Sequence, residues 1–308
     1  MELTAILAPS QIPHSSPRKD VILGQPVELA CNVEWLTDEI AGLLDPFQTG
    51  VVARTARGQV VSNRLPITGS VRAYDEGEVL KHVSTVAKRV PNTRPGMSPV
   101  IELYQDEERF WLVDDQWGMA EVNLLKKSWR SWVLPYPTVD LQRCAEWAVM
   151  WPLAQLLSGP GLALLPAVSI VREGFSAVVL SPYKMDAELE LLACEGFQVV
   201  DHPWLCLQEN AGEVRILPFS NDGGAGESSR CDAVMMVEPG RRAVSQIDEL
   251  PAQLALEALH RHWPIAALHR SRRQVLLTLA ANARCCGVQL ARQPADLLKL
   301  INSLNPQR

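Results

Sequence analysis

Ser181, Pro182, Tyr183, Lys184, Met185 and Asp186 stand between an apolar run, 175–180, and a run of helical character, 187–194. A hydroxyl, an ammonium and the mouth of a helix, in that order, are parts of a phosphate site. Such a site works because glycines let successive backbone N–H groups turn inward around the anion. A lysine adds charge on the outer phosphates, and the helix N-terminus adds a partial positive pole. The glycines are missing here, and Pro182 has no N–H to offer. No Gly-x-x-x-x-Gly-Lys-Ser/Thr occurs anywhere in the 308 residues. Asp186 is expected to cap the helix, a role worth ~1 kcal/mol, and so to occupy the donors that an anion needs. The expectation is a closed phosphate site. The alternative is a rearranged working one, with Lys184 supplying charge from a new position.

Other groups raise other chemistries. Asp201-His202 suggests a catalytic pair, but neighbours in an extended segment point to opposite faces, and Ser181 has no Gly-x-Ser-x-Gly context. His260-Arg261-His262-Trp263 ends a helical run. His-x-His on a helix splays its rings, and with no third ligand suggested no metal is assigned. His269-Arg270-Ser271-Arg272-Arg273 is the densest basic cluster. Three arginines at a helix start oppose the positive pole there; a phosphate or a partner's carboxylate would relieve the conflict. Arg241 and Arg242 join His269, Arg270, Arg272 and Arg273 as candidates for an anionic ligand or an acidic partner. Trp117, Trp129 and Trp132 interleave with Lys126, Lys127 and Arg130. Such faces stack single-stranded nucleic acid, or pack as ordinary sheet with long stems over the rings. The net charge of -6 favours packing, or a protein interface using tryptophan anchors, and argues against a general nucleic-acid binder. Seven scattered cysteines without a Cys-x-x-Cys pair read as buried free thiols of a reducing cytoplasm.

The elements that would position these groups divide the chain in two. Residues 1–20 read as a mobile arm by their prolines and serines, and no apolar stretch is long enough to span a bilayer. A β-rich lobe is expected over 21–137. It has an extended run at 21–31, a helix at 34–47, two strands in 50–63, a helix at 78–90 and a loop at 92–99. A hairpin in 100–115 and one or two strands in 118–134 complete it. The second lobe, 138–308, opens with a helix over 139–158 that Pro152 should kink. A hairpin joins 161–172 to 175–181 through Glu173-Gly174. A helix at 185–194 and a strand at 197–200 follow. A hairpin over 203–218, a Gly/Ser-rich loop at 221–230 and a buried strand at 231–240 come next. Helices near 248–261, 270–284 and 294–304 close the chain. Helices between apolar strands make an α/β or α+β fold.

This order of elements, with "LLSGPGLALLPAVSIVREGFSAVVLSP" (156–182) and "AELELLACEGFQVVDHPWLCL" (187–207), resembles the core of the HPr kinase/phosphorylase-like family. The family shares its nucleotide fold with phosphoenolpyruvate carboxykinases. "DAVMMVEPG" (232–240) and "LALEALHRHW" (254–263) look like its later part, so the resemblance covers about 140–270. It implies a phosphate loop at 181–186, about two residues shorter than usual. Met185 falls at the phosphate-binding lysine and Asp186 at the magnesium-binding Ser/Thr. His202 and Pro203 take the two acidic positions of the paired-aspartate turn, with Asp201 one place early. The resemblance therefore implies a kinase-derived binding or assembly protein without catalysis or cofactor, recognising a protein or a small anion. An active phosphotransferase with a rearranged site is the alternative, and an accessory factor for a biosynthetic enzyme differs only in its partner. Neither nucleic acid nor membrane is an expected partner, and a homo-oligomer is left open.

Overall fold

The computed structural model describes residues 17–22, 25–49, 65–83, 86–90, 102–114, 116–134, 140–157, 161–181, 185–200, 204–217, 228–239, 245–262, 270–291 and 295–304. The strands expected within 50–63, the loop at 92–99, most of the 221–230 loop and residues 1–16 lie outside them. Helices and strands mix throughout, as an α/β or α+β class requires.

The first half forms β1 (Arg18–Ile22), β2 (Gln25–Cys31), α1 (Thr37–Thr49), β3 (Ile67–Ala73), α2 (Glu76–His82) and β4 (Lys88–Val90). Then come β5 (Glu102–Gln105), β6 (Arg109–Asp114), β7 (Gly118–Asn123) and β8 (Ser128–Val133). They make one eight-stranded sheet in the order β1-β2-β3-β8-β7-β6-β5-β4, parallel only across β2, β3 and β8. β1 starts inside the segment expected as an arm. Alternation in β2 sends Val27 and Leu29 inward. Gly69 lies directly opposite Trp129, and any Cβ there would run into the indole ring. The helix expected over 78–90 is a correction: α2 stops at His82, and 88–90 is a strand. Val79, Val83, Val86 and Val90 mimic a helical period, yet Val83 adopts an extended backbone that ends the helix. Its start is an N-cap, with Asp75 accepting from the Glu78 N–H at 3.0 Å.

α3 is built of three abutting segments, Leu141–Ala145, Glu146–Met150 in π geometry and Trp151–Leu156. Pro152 explains the middle one. It has no N–H for the Ala148 carbonyl four residues back. That carbonyl instead accepts from Trp129 Nε1 at 3.2 Å and Ser131 Oγ at 2.6 Å, both on β8. The orphaned acceptor thus fastens the helix to the first sheet.

The second half gives β9 (Leu162–Pro166), β10 (Val168–Arg172), β11 (Phe175–Leu180), α4 (Asp186–Cys194), β12 (Gln198–Val200), β13 (Trp204–Asn210), β14 (Glu213–Leu217) and β15 (Ser229–Arg230). β16 (Ala233–Pro239), β17 (Gln246–Glu249), α5 (Ala252–His262), α6 (Arg270–Asn282), β18 (Arg284–Leu290) and α7 (Ala295–Leu304) complete it. The hairpins turn where expected: Glu173-Gly174 and Ala211-Gly212 all take positive φ, the conformation of tight two-residue turns. Three expectations are corrected. The run 161–172 is two strands in different sheets, breaking at Ala167. The helix near 248–261 begins only at Ala252, after β17. The stretch ending the expected 270–284 helix leads into β18, an unforeseen strand that pairs in parallel with β16.

The layers stack in sequence. One six-stranded sheet, β12-β10-β11-β16-β18-β17, has α4 and α7 on one face and α5 and α6 on the other. α6 is wedged between that sheet and the four-stranded sheet β15-β14-β13-β9. The far face of the small sheet contributes Leu164, Trp204, Cys206 and Leu217 to the core that α3 shares with the eight-stranded sheet. Among the described residues no helix is long and apolar enough to cross a membrane.

Candidate functional site

β11, β16 and β18 are parallel neighbours, so their carboxyl ends share one edge of the six-stranded sheet. Ligands of open α/β sheets bind outside that edge. Ser181, half-buried, follows β11 there, and α4 begins at Asp186. α6 reaches the same edge. It is joined to β18 through Ala283 alone, so it runs back along the sheet, and its Arg270 end lies about 20 Å from its last residue at ~1.5 Å per residue. The topology therefore brings the 181–186 loop and the start of α6 to one end of the lobe. Tyr183, Lys184, Asp201, His202, Arg241, Arg242 and His269 lie outside the described residues. Arg270 and Arg272 are placed by their helical backbone only. Arg273 is exposed and close enough to His260 to act on it.

Two positions carry the argument. Met185 is 5 % exposed and belongs to the core of Leu192, Phe197 and Val237. Met185 is an anchor, turned away from solvent. Asp186 is a correction. The N-cap is Met185, with no side-chain cap, and Asp186 is the first helical residue. The N-cap side chain belongs to the residue whose backbone is not yet helical, and Asp186, already helical, does not hold that position. It is exposed, and with Glu188 it makes the first turn acidic. It repels an anion by charge, without occupying the amides.

His260 has a buried Nε2 with no partner among the described residues. Burial first, and the Arg273 charge second, push its protonation below the ordinary imidazole range. Ser245 Oγ accepts from the Ala291 N–H at 2.7 Å and donates to Asp296 Oδ2 at 2.9 Å, a closed tie between the strand ends and α7. Among the described residues no three His, Cys, Asp or Glu side chains gather closely enough to hold a metal.

The three tryptophans near the basic residues are buried: Trp117 and Trp129 on the inner face of the eight-stranded sheet, Trp132 on the outer. They pack and offer no stacking platform. That outer face holds a cluster that residue patterns did not single out. Glu121, buried on β7, lies 3.2 Å from His82 Nδ1 in an orientation that makes no hydrogen bond. Arg130 Nη1 donates to His82 Nε2 at 2.9 Å. Trp111 Nε1 donates to the His82 carbonyl at 3.2 Å, so the cluster fastens α2 to the sheet. A carboxylate inside the otherwise apolar Met119–Val122 stretch was its one sequence signal.

The chain matches no known family model, and no curated protein matches it in sequence.

Proposed function

We propose that this protein is a non-catalytic binding or assembly protein, its second half derived from an HPr-kinase-like nucleotide fold and its carboxyl edge used for an acidic partner or a small anion. The observation that carries the reading is the burial of Met185. A phosphate loop needs a charged side chain at that place, reaching out over the helix mouth, and here the side chain is core. The acidic first turn of α4 points the same way. The backbone of α6 starts at the same edge, and in this reading its arginines give the acidic partner its counter-charge. The experiment is a pair. Thermal shift and calorimetry with Mg-ATP should show no binding; a ligand at a hundred times its Kd would stabilise by ~2.7 kcal/mol. Pull-down from native extract should capture a stoichiometric partner that Arg272→Glu/Arg273→Glu loses.

The second reading, an active kinase of a protein serine or small metabolite, draws on the uncapped N-terminus of α4. Its first amides have no side-chain acceptor, as an anion site requires. An ATP-dependent rise in melting temperature, removed by Lys184→Ala, would replace the first reading with this one.

A further inference from the structure

At the far end of α6, away from the carboxyl edge, the molecule has a cleft of about 260 Å³. It opens between the β13–β14 turn, the lead-in to β16 and the last turn of α6. Gly212, Glu213, Arg230, Cys231, Thr278 and Asn282 line it.

Its polar groups are incompletely used. Thr278 is buried, at 6 % exposure, and lines the cleft with its hydroxyl-bearing side chain. Arg230 stands 3.9 Å from Glu213 and 3.9 Å from Asp232. Arg215 is also 3.9 Å from Glu213. At that length charges attract but no hydrogen bond forms, so Arg230 and Glu213 keep their bonding capacity at the mouth. Asn282 Nδ2 donates to the Gly212 carbonyl at 2.8 Å, which leaves its Oδ1 as an acceptor. The last turn of α6 contains no basic residue, so the negative pole of the helix is open there.

The charges choose the ligand. A simple cation would meet Arg230, and a simple anion would meet Glu213 and Asp232. A small molecule carrying both charges close together satisfies both sides. We propose that the cleft binds a free α-amino acid. Its carboxylate rests on Arg230, and its ammonium on Glu213, Asn282 Oδ1 and the end of α6. Thr278 contributes a hydroxyl on the buried side. The cleft, at about 260 Å³, falls just under the range of sites for drug-sized ligands and so suits a smaller one, such as an amino acid.

The test titrates the full chain by calorimetry with each of the twenty free L-amino acids at up to millimolar concentration. Any that binds is followed by its N-acetyl and carboxamide forms. Saturable binding by at least one amino acid is expected, lost in both derivatives. Arg230→Ala and Glu213→Gln should each weaken it about tenfold or more, as charge-assisted hydrogen bonds do. Thr278→Val should weaken it several-fold. Both charged side chains are about half exposed, so the first two variants should keep the parental melting temperature. The proposal is overturned if none of the twenty saturates, if the acetylated or amidated form binds equally well, or if binding survives in both charge variants.

Discussion

Met185→Lys introduces the residue type that a phosphate loop uses, yet it should damage the fold without building a site. The side chain is 5 % exposed, in the core beneath α4. A lysine there can lose its proton, which at pH 7 costs about 4–5 kcal/mol, since its free pKa is near 10.4. Holding it charged in the core costs more, and threading its stem to the surface recovers part. The expected loss is therefore about 3–5 kcal/mol, of the order of a small domain's whole stability. The sign with pH follows. The folded-state pKa lies below the unfolded value, so the unfolded chain holds the extra proton, and the variant regains about 1.4 kcal/mol per pH unit as pH rises from 7 towards 10. Urea unfolding of parent and variant at pH 7 and pH 9 measures this. The gap should narrow by about 2.7 kcal/mol between them, and Met185→Leu should cost less than about 1.5 kcal/mol. A variant that unfolds with the parental midpoint at pH 7 would refute the burial argument. A variant whose melting temperature rises with Mg-ATP would refute the closed-site argument.

Other outcomes follow from the same structure. Gly69→Ala should cost about 3 kcal/mol in urea unfolding, as severe overpacking does. The Trp129 ring that its Cβ would strike is itself held to Ala148, so it cannot step aside without losing that bond. Of the seven thiols, Cys194 is exposed and Cys31 half-buried. Ellman's reagent should titrate Cys194 at once, Cys31 slowly, and the other five only on unfolding; burial pushes the Cys144 and Cys285 thiols up to about 12. A second fast thiol would count against the packing. His260 is disfavoured as a cation in the folded state, so the unfolded chain takes up its proton first and stability falls as pH drops below about 6.5. Arg273→Ala should shrink that fall, read from melting temperatures between about pH 5 and 7.5; an unchanged slope would contradict the assigned cause.

Local signals were legible where one short-range rule decides the backbone. Glu173-Gly174 and Ala211-Gly212 announced their hairpins through the glycine that a left-handed turn needs. The 231–240 strand declared itself by its unbroken apolar run, and α4 by its length and composition. β18 did not. Arg284-Cys285-Cys286-Gly287 has glycine and a charge inside it, and only Ala283 separates it from a helix. Its stability comes from Cys285 packing towards α6 and Cys286 towards α7, on opposite faces of the sheet. The site was half legible. The missing glycines and lysine could be read directly, whereas the role of Asp186 depended on which residue's backbone turns helical first, a one-residue matter that sequence spacing does not resolve. The cleft at the end of α6 had no local signature. It is assembled from a turn, a strand end and a helix end far apart along the chain.

Pro152 has a consequence for how the molecule holds together. The helix that carries it comes after the first sheet in sequence, yet one of its carbonyls is spoken for by that sheet, while its neighbours Leu153 and Leu156 sit in a core reaching Trp204 and Leu217. Severing the chain near residue 137 would therefore strip each piece of a wall it was built against. Two soluble fragments should not result. The halves should unfold as one cooperative body, with a proline that merely looks like a helix breaker as the rivet.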